Sequence, residues 1–103
     1  MITNITSKAL FQGALSFKGL VVVDFFATWC GPCKMISPLL EKFSNEYKQV
    51  KFLKVDVDQS PEIALAYQVS SMPTFLFFKN GEQIHKVVGA NPSALKQAID
   101  SNA

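Results

Sequence analysis

The chain contains no arginine. Nucleic acids and phosphorylated ligands are held largely by the planar guanidinium fork, so this absence argues against a role in recognising them. Ten lysines help set a net charge of +2, but they are scattered from Lys8 to Lys96 and form no basic stripe. Cysteine is scarce as well: two in 103 residues is far from the density of a secreted disulfide scaffold. No apolar run approaches the about 20 residues needed to span a bilayer. The opening Met-Ile-Thr-Asn-Ile-Thr-Ser lacks the basic and apolar regions of a signal peptide and any arginine-rich transit character. With 49% hydrophobic residues, residues 1–103 are expected to form a single globular domain, monomeric, with no membrane or nucleic-acid partner. The expected location is the cytoplasm, or the mitochondrion if a presequence has been removed. Without secretion, the glycosylation acceptor Asn4-Ile5-Thr6 is a chance match.

Hydrophobic periodicity divides the chain. A short strand is expected over Ile2–Ile5, followed by a helix capped by Ser7 and ending near Gly19, with Leu10, Phe11, Ala14, Leu15 and Phe17 at helical spacing. Leu20–Ala27 is apolar on both alternating faces, as a strand covered on both sides must be. Met35, Ile36, Leu39, Leu40, Phe43 and Tyr47 make one helical face, in a helix that Pro38 is expected to kink. Lys51–Val57 reads as a strand, and Ser60-Pro61 as a cap opening a short helix to Tyr67. Thr74–Lys79 and Gln83–Val88 flank Asn80-Gly81, a strong hairpin signal, and Asn91-Pro92 opens a last helix through about Ser101. The order β-α-β-α-β-α-β-β-α predicts an α/β fold: a mixed sheet with helices on both faces and an antiparallel hairpin at its C-terminal edge.

Both cysteines stand in Trp29-Cys30-Gly31-Pro32-Cys33-Lys34, between the apolar strand and the helix that follows. A Cys-x-x-Cys pair at that junction reads as a dithiol/disulfide switch. Only a thiolate attacks a disulfide, and the unpaired N–H groups of a first helical turn favour the negative charge on Cys30, with Lys34 adding to them. The sulfur of Cys30 is expected to be exposed. A zinc half-site would need two further ligands, and His85 is the only other soft candidate; no metal is expected. A disulfide across so short a loop would stabilise little. Asp24 interrupts an apolar strand; its burial raises the pKa, unless the carboxylate simply pairs with Lys54 on the adjacent strand. Asp56-x-Asp58 has neither the glycine nor the distal glutamate of a calcium loop and reads as strand-end polar residues.

The segment Val21–Lys34, together with Met72-Pro73-Thr74, Phe78-Lys79-Asn80-Gly81 and Val88-Gly89-Ala90, resembles the thioredoxin family in order and spacing across essentially the whole chain. The resemblance implies a thioredoxin fold, with five strands and four helices, and a protein-disulfide reductase. In that family Cys30 is the nucleophile and Cys33 the resolving thiol. Asp24, with Lys54 nearby, is the proton acceptor beneath them. Gly31-Pro32 between the cysteines marks a reducing protein, where Gly-His marks oxidising folding catalysts; Pro32 is also simply a good early-helix residue. Met72-Pro73 matches the family's cis-proline loop, and Trp29, Met72, Pro73, Val88, Gly89 and Ala90 are implied to form an apolar substrate-binding patch. Trp29 as ordinary core packing and Met72 as gap-filler are the plainer readings. Phe26 departs from the family, where many relatives carry tryptophan or tyrosine, and leaves Trp29 as the one tryptophan.

The resemblance implies no bound cofactor beyond the two sulfurs, with electrons arriving from NADPH through a flavoprotein, thioredoxin reductase. Implied targets include peroxiredoxins, methionine sulfoxide reductases and ribonucleotide reductase. The alternative is a non-catalytic scaffold subunit that uses the same patch. No G-x-G-x-x-G or P-loop is present, so the chain carries no nucleotide site of its own.

Overall fold

The computed structural model describes residues Met1–Ala103. In chain order the elements are β1 (Ile2–Asn4), α1 (Lys8–Leu15), β2 (Val21–Phe26), α2 (Gly31–Glu46), β3 (Lys51–Asp56), α3 (Pro61–Ala66), β4 (Thr74–Lys79), β5 (Glu82–Val88) and α4 (Pro92–Asn102). This is the expected order. The strands form one mixed sheet, β1-β3-β2-β4-β5, in which β1, β3 and β2 are parallel and β4 and β5 antiparallel to their neighbours.

The apolar character of β2 on both faces puts it at the centre. Val22 joins Ile36, Leu40 and Phe43 of α2 and Leu95 and Ile99 of α4 on one side. Val21, Val23 and Phe25 pack with Phe11 and Leu15 of α1 and Ile63 of α3 on the other. Full burial of each such side chain contributes roughly 1.5–3 kcal/mol, so two covered faces supply most of the driving force. Strand alternation places Asp24 on the face of Val22, the α2 side of the sheet.

Several local readings need correction. Helix α1 stops at Leu15 rather than near Gly19. The Ser16 amide closes on Gly13 and Ala14 and its hydroxyl donates to the Gly13 carbonyl (2.6 Å), leaving Leu10 and Phe17 substantially exposed. Gly19 is needed at a close approach: a Cβ there would lie 3.2 Å from the Gln49 carbonyl oxygen. Met35 is not on the buried face of α2 but 77% exposed, because the face against the sheet is set by Cys33, Ile36, Leu40 and Phe43. Pro38 lies inside α2, as the spacing predicts. Ser60 occupies the cap position of α3 without capping it; its hydroxyl is buried with no partner, while its amide donates to the Asp56 carbonyl (2.9 Å). Asn80 and Gly81 turn the hairpin with φ of 54° and 81°, and a bulge opposite Phe77 and Phe78 shifts the register of β5.

Candidate active site

At the end of β2 the chain turns through Ala27–Trp29, and the Cys30 amide donates to the Ala27 carbonyl (3.2 Å). Cys30 then caps α2: its backbone is extended, and the Cys33 amide donates to its Sγ at 3.1 Å. The two sulfurs are joined in a disulfide, with Cα atoms 5.3 Å apart. In this state the acceptor is a neutral sulfur; a thiolate at the same place would accept a stronger, charge-assisted bond. The pair is therefore within bonding reach, as the spacing predicts. The expected exposure of Cys30 is corrected, since it keeps only 4% of its surface and packs with Ala27 and Cys33 beneath Phe26, Val57 and Met72.

Antiparallel pairing of β4 with β2 sets Thr74 opposite Phe25, and that register carries residues 72 and 73 to the cysteines. The Met72–Pro73 peptide is cis, and the Met72 carbonyl oxygen lies 3.6 Å from Cys30 Sγ. Thr74 also faces Val88 of β5, and the Gly89 amide donates to the Pro73 carbonyl (2.8 Å). Gly89 has φ of 95°, which favours glycine, and a Cβ there would meet nothing within 4 Å, so this edge is open to an approaching chain. Around Cys30, Trp29, Gly31, Pro32 and Val88 are exposed, and Met72, Gly89 and Ala90 half-buried. Pro73 is buried, and Ala90 leans on the core shared with α4.

Trp29 is 66% exposed, which rules out the core-packing reading. Its indole N–H donates to Asp58 Oδ2 (2.9 Å), and the Asp58 amide donates to Asp56 Oδ1 (2.9 Å). Asp56 and Asp58 are thus more than strand-end polar residues, because they brace the aromatic beside Cys30. The clue lay in the parallel register: Phe26 faces Asp56, so the stretches just beyond each strand must meet.

Asp24 is 6% exposed, with Oδ1 lacking any hydrogen-bond partner. Burial pushes its pKa up to about 7, against the opposing pull of Lys54. Lys54 is its register neighbour but makes no ion pair with it; the ammonium instead sits 5.5 Å from the centre of the Phe26 ring. The simple-pairing reading of Asp24 is thereby set aside. A cleft of about 250 Å³ opens over this carboxylate, lined also by Cys33, Lys34, Ser37 and Lys54. A carboxyl poised near neutrality, with a path to the inner cysteine, can take or return a proton as that thiol reacts.

Comparison with known proteins agrees with this geometry. The family model described as Thioredoxin matches residues 2–101. Thioredoxin-1 of Saccharomyces cerevisiae is 55% identical over 103 residues, covering 100% of both chains. Among solved structures, a Plasmodium falciparum thioredoxin superposes with a TM-score of 0.94 at 48% identity, covering 98% of this chain and 99% of that one. A chain from a study of thiol resolution in a yeast mitochondrial 1-Cys peroxiredoxin by the glutathione and thioredoxin systems gives 0.93 at 45% identity, with 97% and 94% covered.

Proposed function

The chain belongs to the thioredoxin family, and from that membership we propose how its residues divide the work of a protein-disulfide reductase. It is a thiol–disulfide oxidoreductase acting through Cys30 and Cys33. Cys30, held at the helix N-terminus with the Cys33 amide aimed at its sulfur, attacks a target disulfide and forms a mixed disulfide. Cys33 then attacks the Cys30 sulfur, closing the intramolecular disulfide and releasing the reduced target. Asp24 accepts the Cys33 proton during this second attack, Lys54 and Lys34 lend positive charge at the cleft mouth, and Gly31-Pro32 keeps the couple reducing. Met72, Pro73, Val88, Gly89 and Ala90 receive an extended target segment beside Trp29, and the near-complete burial of Cys30 means that the target must seat closely before sulfur meets sulfur.

In this reading the protein works in the cytoplasm as a single-domain monomer. NADPH resets it through thioredoxin reductase, and its targets include peroxiredoxins, methionine sulfoxide reductase and ribonucleotide reductase. The structure of a relative obtained in a study of peroxiredoxin resolution supports the first of these targets.

The amide of Cys33 directed at Cys30 Sγ, with the disulfide closed between them, carries the proposal. It is tested by insulin reduction with NADPH and a thioredoxin reductase. The wild-type chain turns over, Cys30→Ser loses all turnover, and Cys33→Ser accumulates covalent target adducts detectable by mass. A Cys30→Ser/Cys33→Ser double variant that reduces no insulin yet still replaces the wild-type protein in cells would overturn the reading in favour of a scaffold.

A further inference from the structure

We propose that Ser37 is a positioning residue for the resolving step, its hydroxyl holding the water through which the Cys33 thiol passes its proton to Asp24. The inference rests on the reading of Asp24 as proton acceptor. Ser37 lies one helical turn beyond Cys33 on the same face of α2, and the two line a single cleft with Asp24. A serine inside a helix can spend its hydroxyl on a carbonyl of the preceding turn or leave it to solvent. Ser44, in the same helix, bonds back in this way to the Glu41 carbonyl, whereas Ser37, an exposed residue on the cleft wall, makes no such bond and keeps its hydroxyl free. Across that space Asp24 Oδ1 is buried without a donor, an arrangement that calls for a bridging group. A bridging water needs at least two polar partners, and Asp24, Ser37 and the Cys33 thiol supply three. The remaining charged groups on the cleft are Lys34 of α2 and Lys54 of β3.

In the step itself, the Cys33 sulfur bonds to the Cys30 sulfur and the bond from Cys30 to the target sulfur breaks. The Cys33 proton passes to the water as the water gives one to Asp24. The target leaves with the electron pair as a thiolate, which solvent or Asp24 then protonates. Two electrons thus pass from the dithiol to the target disulfide.

An aromatic disulfide that releases a coloured thiol separates the two attacks in a stopped-flow experiment: the first phase reports Cys30, the second Cys33. Ser37→Ala is expected to leave the first phase unchanged and slow the second about fivefold, the worth of one anchoring hydrogen bond. The deficit should be widest above about pH 7, where Asp24 is ionised, and Ser37→Thr should restore the rate. Alanine is the better helix former, so unfolding does not account for the loss. A wild-type second phase in Ser37→Ala, or equal slowing of both phases, overturns the inference. If Ser37→Ala is silent while Asp24→Asn slows the second phase, only Ser37 loses its role; if Asp24→Asn is also silent, the reading of Asp24 falls with it.

Discussion

A buried carboxyl group in the middle of β2 works against folding once it is ionised. Below its ordinary value of 3.8, Asp24 is protonated in both folded and unfolded chains and carries no penalty. As pH rises toward about 7 the unfolded chain ionises while the folded one holds its proton, so stability falls, and above that the whole penalty remains. The shift corresponds to something on the order of 4 kcal/mol at alkaline pH. Asp24→Asn should therefore raise the urea midpoint at pH 8 and flatten the dependence of stability on pH between 4 and 7, while slowing the resolving step. A variant as pH-dependent as the wild type would show that the penalty lies elsewhere. Asp24 was legible in the sequence because a charge inside Val-Val-Val-Asp-Phe-Phe has no innocuous explanation. Asp58 and Ser37 were not, since the first acts through a register between separate strands and the second through a helical turn that had to be seen against the sheet.

At the scale of elements, the helix starts were easier to read than the ends. Ser7, Cys30 and Asn91 each accept a backbone amide at the mouth of a helix, and the Asn91 side chain takes that of Ala94 at 3.1 Å. Asn91→Ala should cost about 1 kcal/mol by urea unfolding without changing the first-phase thiol kinetics. A cost near zero would mean that α4 is held by packing alone. Ser60 shows why the same sequence signal fails elsewhere: its amide is drawn to Asp56, and the hydroxyl turns into the interior. The end of α1 is not legible in the sequence because Ser16 closes it locally, which no apolar spacing announces. The far end of α2 is tied to α4 at the surface, where Tyr47 donates to Asp100 and Lys96 lies 2.9 Å from the same carboxylate. These bonds, from Tyr47 first, hold the Asp100 carboxyl below its ordinary value.

Over the whole molecule, the sheet separates two apolar layers that share its central strands. Phe11 anchors one, meeting Phe25, Tyr67 and Phe78 edge to face at ring distances of 5.4–6.5 Å. Phe11→Ala should remove about 3–5 kcal/mol. Because β2 and β4 belong to both layers, unfolding should remain one transition by Trp29 fluorescence and by far-ultraviolet circular dichroism. Two separated transitions would show that the layers unfold independently. The architecture was legible because apolar runs, caps and turn residues all pointed to one element order; the fine seating of the cysteines depends on contacts between residues some forty positions apart, as between Cys30 and Met72. Strand direction has one more effect. β4 leaves the sulfur pole at Thr74, and β5 returns to it at Val88, so the Asn80-Gly81 bend stands at the opposite end of the sheet. That bend is a natural handle: a dye or an immobilising tether fixed there would leave the reactive face turned outward and unobstructed.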